Sequence, residues 1–174
     1  MEIHASGIVR HPIDRVYRAF RDEIPGIAAH MPNVSKVEER LRENQPDGVR
    51  LHNVWHGKGE IPAFAQVVVK PDLLVWDDFA DWHDDARCCD WRIGLRVFNE
   101  QFKCGGTTRM AAEGPHTRIV IQGDLQINLR ELPGVPQFIA GALAPRIEAF
   151  IVKLIRPNLE ETNAAVGRYL DANP

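Results

Sequence analysis

The sequence predicts an α+β domain: a curved antiparallel sheet of about seven strands wrapped around one long C-terminal helix, with two short helices after the first strand. Three observations lead there. Residues 133–173 repeat apolar side chains at helical spacing (Ile139, Leu143, Ile147, Phe150, Ile151, Leu154, Ile155, Leu159, Val166, Tyr169), which makes one broad apolar face. Most of 34–128 instead alternates apolar and polar, the period of antiparallel strands with one face buried. A lone helix of that length has nothing to bury its face against. The sheet must supply the partner, and a sheet curved around a single helix leaves space between the two.

The bulk properties narrow the class. A chain of 174 residues suits one domain over 1–174. Hydrophobic and charged contents of 44% and 26% are ordinary for a soluble globular protein. Net charge is −3 and no dense Lys/Arg run occurs, so no nucleic-acid surface is expected. No apolar run is long enough for an integral membrane segment. The N-terminal MEIHASGIVRHPIDR has no apolar signal core and no cleavage pattern, which predicts a cytoplasmic protein. The three cysteines are an odd count, and the adjacent Cys88 and Cys89 point to opposite faces of a strand. All three are expected to be free thiols in a reducing compartment.

Taken in order, 2–10 (EIHASGIVR) is a short alternating strand ended by His11-Pro12. Pro12 suits the first turn of a helix in which Ile13, Val16, Tyr17 and Phe20 share a face, running to about Glu23. Ile24-Pro25-Gly26 is expected to break it, with IAAHM forming a turn or two of second helix before the Met31-Pro32-Asn33 turn. Residues 34–43 are assigned to a strand ending in a hairpin-like turn. In 49–56 (VRLHNVWH), Val49, Leu51, Asn53 and Trp55 share one side. Residues 57–62 are loop, and 63–69 fit strand or helix. The segment 73–82 is a strand with Leu74, Trp76, Asp78, Ala80 and Trp82 of one parity. The next, 87–97, returns with Cys89, Trp91, Ile93, Leu95 and Val97 inward. Residues 102–113 and 116–128 form the last two strands, the final one with Ile119, Ile121, Leu125 and Ile127 inward. Gly105-Gly106 reads as a bulge or bend. In the terminal helix, Pro145 is expected to separate a leading turn, and Pro157 to interrupt the main segment.

Several stretches resemble one superfamily. PIDRVYRAF at 12–20 matches a "P-x-x-x-V-[YW]-x-x-[FL]" opening of the first helix, and MPNVSKVE at 31–38 is similar to the lead into strand two. Gly106-Thr107-Thr108 and GDLQI at 123–127 are similar to the last hairpin. In order and spacing these resemble the SRPBCC superfamily of START, polyketide-cyclase and coenzyme-Q-binding-like proteins, over essentially the whole chain. The resemblance implies the helix-grip fold and an internal cavity for an apolar ligand. It does not fix the chemistry, because one fold serves binding, transport and catalysis.

The inward parity carries groups unusual for a plain core: Asn53, Trp55, Trp76, Asp78, Trp82, Trp91, Thr108 and Met110, with Ile121 beside them and Ile147, Ile151, Leu154 and Asn158 from the helix. Four tryptophans on one face would make an aromatic wall, with Asn53, Asp78 and Thr108 orienting a ligand. The competing reading of each is core filling, the polar ones bonded to backbone or indole. Asp78 is the one candidate for acid–base work, since a carboxylate facing an apolar cavity has a raised pKa, and a one-residue slip would put Asp77 there instead. His83, Asp84, Asp85, Cys88 and Cys89 match no metal-ligand spacing and read as a solvated acidic turn. His52 and His56 fall on the outer face. No metal and no cofactor are expected, and no catalytic triad, phosphate loop or HExxH pattern occurs.

The expected function is therefore binding or carriage of a hydrophobic small molecule (lipid, isoprenoid or polyketide-like) by a monomer or weak homodimer. One inward carboxylate and no inward histidine argue for binding over catalysis. The alternatives are a cyclase/aromatase-type enzyme or related lyase using the same cavity, and a protein-interaction module whose cavity is filled.

Overall fold

Alternation in the first residues builds strand β1 (Glu2–Val9), whose Ile3, Ala5 and Val9 are buried. Pro12 then stands in extended conformation before helix α1 (Ile13–Asp22), which has Asp14 in its first turn and Arg21 in its last, the polarity the helix dipole favours. α1 buries Val16, Tyr17, Ala19 and Phe20. Helix α2 (Ile24–Ala28) follows at once. The expected break at Ile24-Pro25-Gly26 is thus the start of the second helix, because a proline in a first turn removes no hydrogen bond. The strands are β2 (Val34–Gln45), β3 (Gly48–Gly57), β4 (Val75–His83), β5 (Cys88–Leu95), β6 (Phe102–Glu113) and β7 (His116–Ile127), and the long helix α3 spans Gln137–Ala172. The structure, a computed structural model, describes residues 1–59, 74–95, 102–127 and 137–174, with backbone alone at 127 and over much of 137–160. Residues 63–69, left between strand and helix by their pattern, lie outside the described residues.

The seven strands form one antiparallel sheet in the order β1-β7-β6-β5-β4-β3-β2. It is a meander from β2 to β7, with β1 added beyond β7. Between β3 and β7 the register runs without a slip. The bulge expected at Gly105-Gly106 is absent: both glycines pair regularly, with Arg92 and Trp91 on one side and Asp124 and Gly123 on the other. The irregularities fall in β2, between Val34 and Lys36 and between Glu39 and Leu41. The second reverses the side-chain alternation. Leu41 is turned outward and left 46% exposed, and Arg42 turns inward to reach Asp22 of α1 at 3.0 Å.

α3 is continuous over 36 residues, so neither Pro145 nor Pro157 ends or divides it. Its C-terminal part packs Ala165, Val166 and Leu170 into the core against α1, α2 and the sheet. Gly7 lets the helix come close to β1, since a Cβ there would lie 3.3 Å from Asn163.

α1 is clamped to the β4–β5 turn. Asp84 Oδ1 accepts from the Tyr17 hydroxyl at 2.9 Å and from Arg21 Nη1 at 2.6 Å. Arg87, held at φ 49° in that turn, donates to the Asp84 carbonyl and to Asp14 Oδ1. The acidic turn keeps Asp85 exposed, and Asp84, its side chain 41% exposed, ties it to α1. Burial and the Asp84 carboxylate raise the pKa of the Tyr17 phenol. Asp84→Ala removes the acceptor of a buried hydroxyl and of a half-buried guanidinium, and is expected to cost about 1–3 kcal/mol. An unchanged urea midpoint would show that the clamp contributes nothing.

Candidate functional site

The continuous register sorts the concave-face residues into rows across the strands. Trp55, Trp76 and Leu95 form one row; Asn53, Asp78, Ile93 and Cys104 the next; Leu51, Ala80, Trp91, Gly106 and Gly123 the third; Val49, Trp82, Cys89, Thr108 and Ile121 the fourth. Leu51, Trp55, Ala80 and Trp82 belong to the buried core, with Trp76 and Trp91 packed against it, so all four tryptophans share the inner face.

Asp78 stands between the aromatic rows. Its Oδ2 accepts from Asn53 Nδ2 and from Trp55 Nε1, both at 3.3 Å. Among the described residues Oδ1 has no partner. The carboxyl is surrounded by protein, and the residue keeps some accessible surface. Burial raises its pKa, against the opposing pull of the Asn53 and Trp55 donors. Asp77 points the other way and meets His52 Nε2 at 2.7 Å. Beside Asp78 the rings of Trp55 and Trp76 stack at 5.9 Å and 15°.

Trp91 lies over two glycines. A Cβ on Gly106 or on Gly123 would come within 2.8 Å of its six-membered ring, so the glycines form the cradle that lets the indole lie flat on the sheet. Its Nε1 is buried without a partner among the described residues. The signal for this cradle is a tryptophan facing two glycines, which becomes visible only once the strands are in register. Ile93, half-buried and directly beside Asp78, is a further member of the site that the sequence placed inward without assigning it a role.

The other candidates part company with this group. Trp82 sits under α1, edge-on to Tyr17 at 5.3 Å and tilted against Phe20 at 6.4 Å. Thr108, Met110 and Ile121 are buried near it, at the end of the sheet that α1 closes. Ile147, Ile151, Leu154 and Asn158 lie on α3, but their side chains are outside the described residues. His52 and His56 are on the outer face, each paired with a carboxylate: Asp77, and Glu38 at 2.9 Å. Cys88 is half-buried, Cys89 and Cys104 are buried, and all three are free; burial pushes the Cys104 thiol up to about 12. Among the described residues no group of three His, Cys, Asp or Glu side chains is placed to hold a metal ion.

No family model matches the chain, and no curated protein matches it in sequence. Solved structures do match over its full length. A protein from Thermus thermophilus, TTHA0849, aligns with 100% of both chains at 21% identity and a TM-score of 0.68. The Zhui aromatase/cyclase from a Streptomyces species aligns with 100% of this chain and 96% of its own at 19% identity, also with a TM-score of 0.68. The chain has the helix-grip fold. Norcoclaurine synthase from Thalictrum flavum shares it at 14% identity and a TM-score of 0.57, over 100% of this chain and 87% of that one. In this helix-grip chain the stacked indoles offer a flat apolar surface, and Asp78 offers one polar contact within it. No helix among the described residues is long and apolar enough to cross a membrane.

Proposed function

We infer that the protein binds a hydrophobic small molecule on the concave side of its sheet, with a flat part against Trp55, Trp76 and Trp91 and a polar group at Asp78. The observation that carries this is the enclosed Asp78 carboxyl, with two donors on Oδ2 and Oδ1 left without a partner among the described residues, set beside stacked tryptophans. An apolar core alone would have no reason to hold a carboxyl there. Burying ~400 Å² of ligand surface at about 25 cal/mol per Å² gives roughly 10 kcal/mol, which after about 4 kcal/mol for lost freedom leaves an affinity on the order of tens of micromolar.

Titration with a panel of lipids, isoprenoids and polycyclic aromatics is expected to quench tryptophan fluorescence saturably, and Trp76→Ala to weaken binding about tenfold. No quenching by any member would end this reading. Asp78 also supports a second one, a cyclase- or aromatase-type enzyme, because a carboxyl whose pKa is raised by burial can deliver a proton. Recovery of a chemically altered ligand, lost in Asp78→Asn, would move the protein into that class.

A further inference from the structure

We propose that the outer face of the sheet carries a second binding site, for a small planar aromatic carboxylate, anchored by the guanidinium of Arg92. A hollow of about 360 Å³ lies there, at the small end of the range for ligand pockets. Leu41, His52, Phe79 and Arg92 cross it as one row of directly paired positions on β2, β3, β4 and β5. The His52 ring stacks on Phe79 at 4.5 Å and 14°, and the Arg92 guanidinium lies over the same ring at 4.3 Å. The bulge in β2 is what brings Leu41 to this side, where it adds an exposed apolar edge.

The charges around the hollow single out Arg92. Asp81 is held by Arg50 Nε at 2.6 Å. Asp90 accepts from Thr107 at 2.9 Å and meets His83 at 3.3 Å. Arg92 has no carboxylate or carbonyl partner among the described residues. A guanidinium stacked on a ring keeps its in-plane N–H edges free, and those edges match a carboxylate with two parallel bonds. Stacking also removes much of the side-chain freedom that binding would otherwise cost. With Phe79 sandwiched between His52 and Arg92, the outer faces of the imidazole and guanidinium and the Leu41 edge suit a planar aromatic body better than a flexible chain. The side chains of this row lie across the sheet from Asp78, while Leu51, Ala80 and Trp91 border the hollow from positions that face the concave side.

The test is titration of the isotope-labelled full chain with 2-naphthoate, followed residue by residue by NMR. The amide signals of Leu41, Phe79 and Arg92 are expected to move saturably, and those of Asn53 and Asp78 to stay. Arg92→Gln, an exposed change that leaves the core intact, should weaken this binding about tenfold or more. Arg92→Lys, with the charge but not the fork, should fall between. 2-Naphthylmethylamine should not produce the shifts. The proposal is overturned by no binding at millimolar naphthoate, by shifts confined to the concave face, by an Arg92→Gln variant that binds like the parent, or by an amine that binds as well as the acid.

Discussion

Gly106→Val is expected to destabilise the fold by more than about 3 kcal/mol, and Gly106→Ala by only somewhat less. A Cβ at Gly106 would sit 2.0 Å from the Gln122 carbonyl oxygen, 2.6 Å from the Gly123 Cα and 2.8 Å from the Trp91 ring. The first two neighbours are backbone of the paired strand, so the β6–β7 ladder itself must open to admit a methyl group. Ordinary overpacking costs about 1–3 kcal/mol because flexible side chains yield; here the nearest obstacles cannot. Displacing Trp91 also removes its packing against the core, so near-ultraviolet circular dichroism should change along with the urea midpoint. Gly114→Ala is the control. Gly114 has φ 61° with nothing near its would-be Cβ, so only backbone strain of about 1 kcal/mol applies. Equal midpoints for the two alanine variants would mean that the cradle is not a tight fit.

Asp78 is expected to separate into an acceptor role and a charge role. Asp78→Ala leaves Asn53 Nδ2 and Trp55 Nε1 without their acceptor inside the protein and should cost about 1–3 kcal/mol. Asp78→Asn keeps an oxygen for both donors and removes ionisation. The pH dependence has a definite sign. Burial raises the folded-state pKa, so the wild type has its full contribution below the ordinary aspartate value of about 3.9 and loses stability as pH rises through the raised folded value. Asp78→Asn does not titrate. Its advantage over the wild type should therefore be nil in acid, open with rising pH, and level off above the folded-state pKa. Urea midpoints of both proteins across pH 3–9 would show this. A variant less stable than the wild type at pH 8 would mean that the ionised carboxylate is satisfied where it stands.

Much of this was legible before any coordinates. In VRLHNVWH and LLVWDDFADW a strict period of two assigns Asn53, Trp55, Trp76, Asp78 and Trp82 to a single face, because successive side chains on a strand must alternate. The facing expected of Asp77 and Asp78 survives for that reason, with Asp77 on His52 outside and Asp78 on Asn53 inside. Element order followed in the same way, from the change of period between strands and terminal helix.

What the chain determined alone was local: which residues are strand or helix, in what order, and which share a face. These depend on neighbours within one turn or one pleat. Tertiary structure decided what each inward residue meets. It placed Trp82 beneath α1 and Trp91 on two glycines, closed Asp84 onto Tyr17 and Arg21, turned Leu41 outward through a bulge, and carried α3 unbroken past two prolines. The places of Trp82, Trp91 and Asp84 rest on contacts between segments distant in the chain. Alternation along one strand carries no information about register against the next, and so cannot say whether an indole fills the core or borders a space.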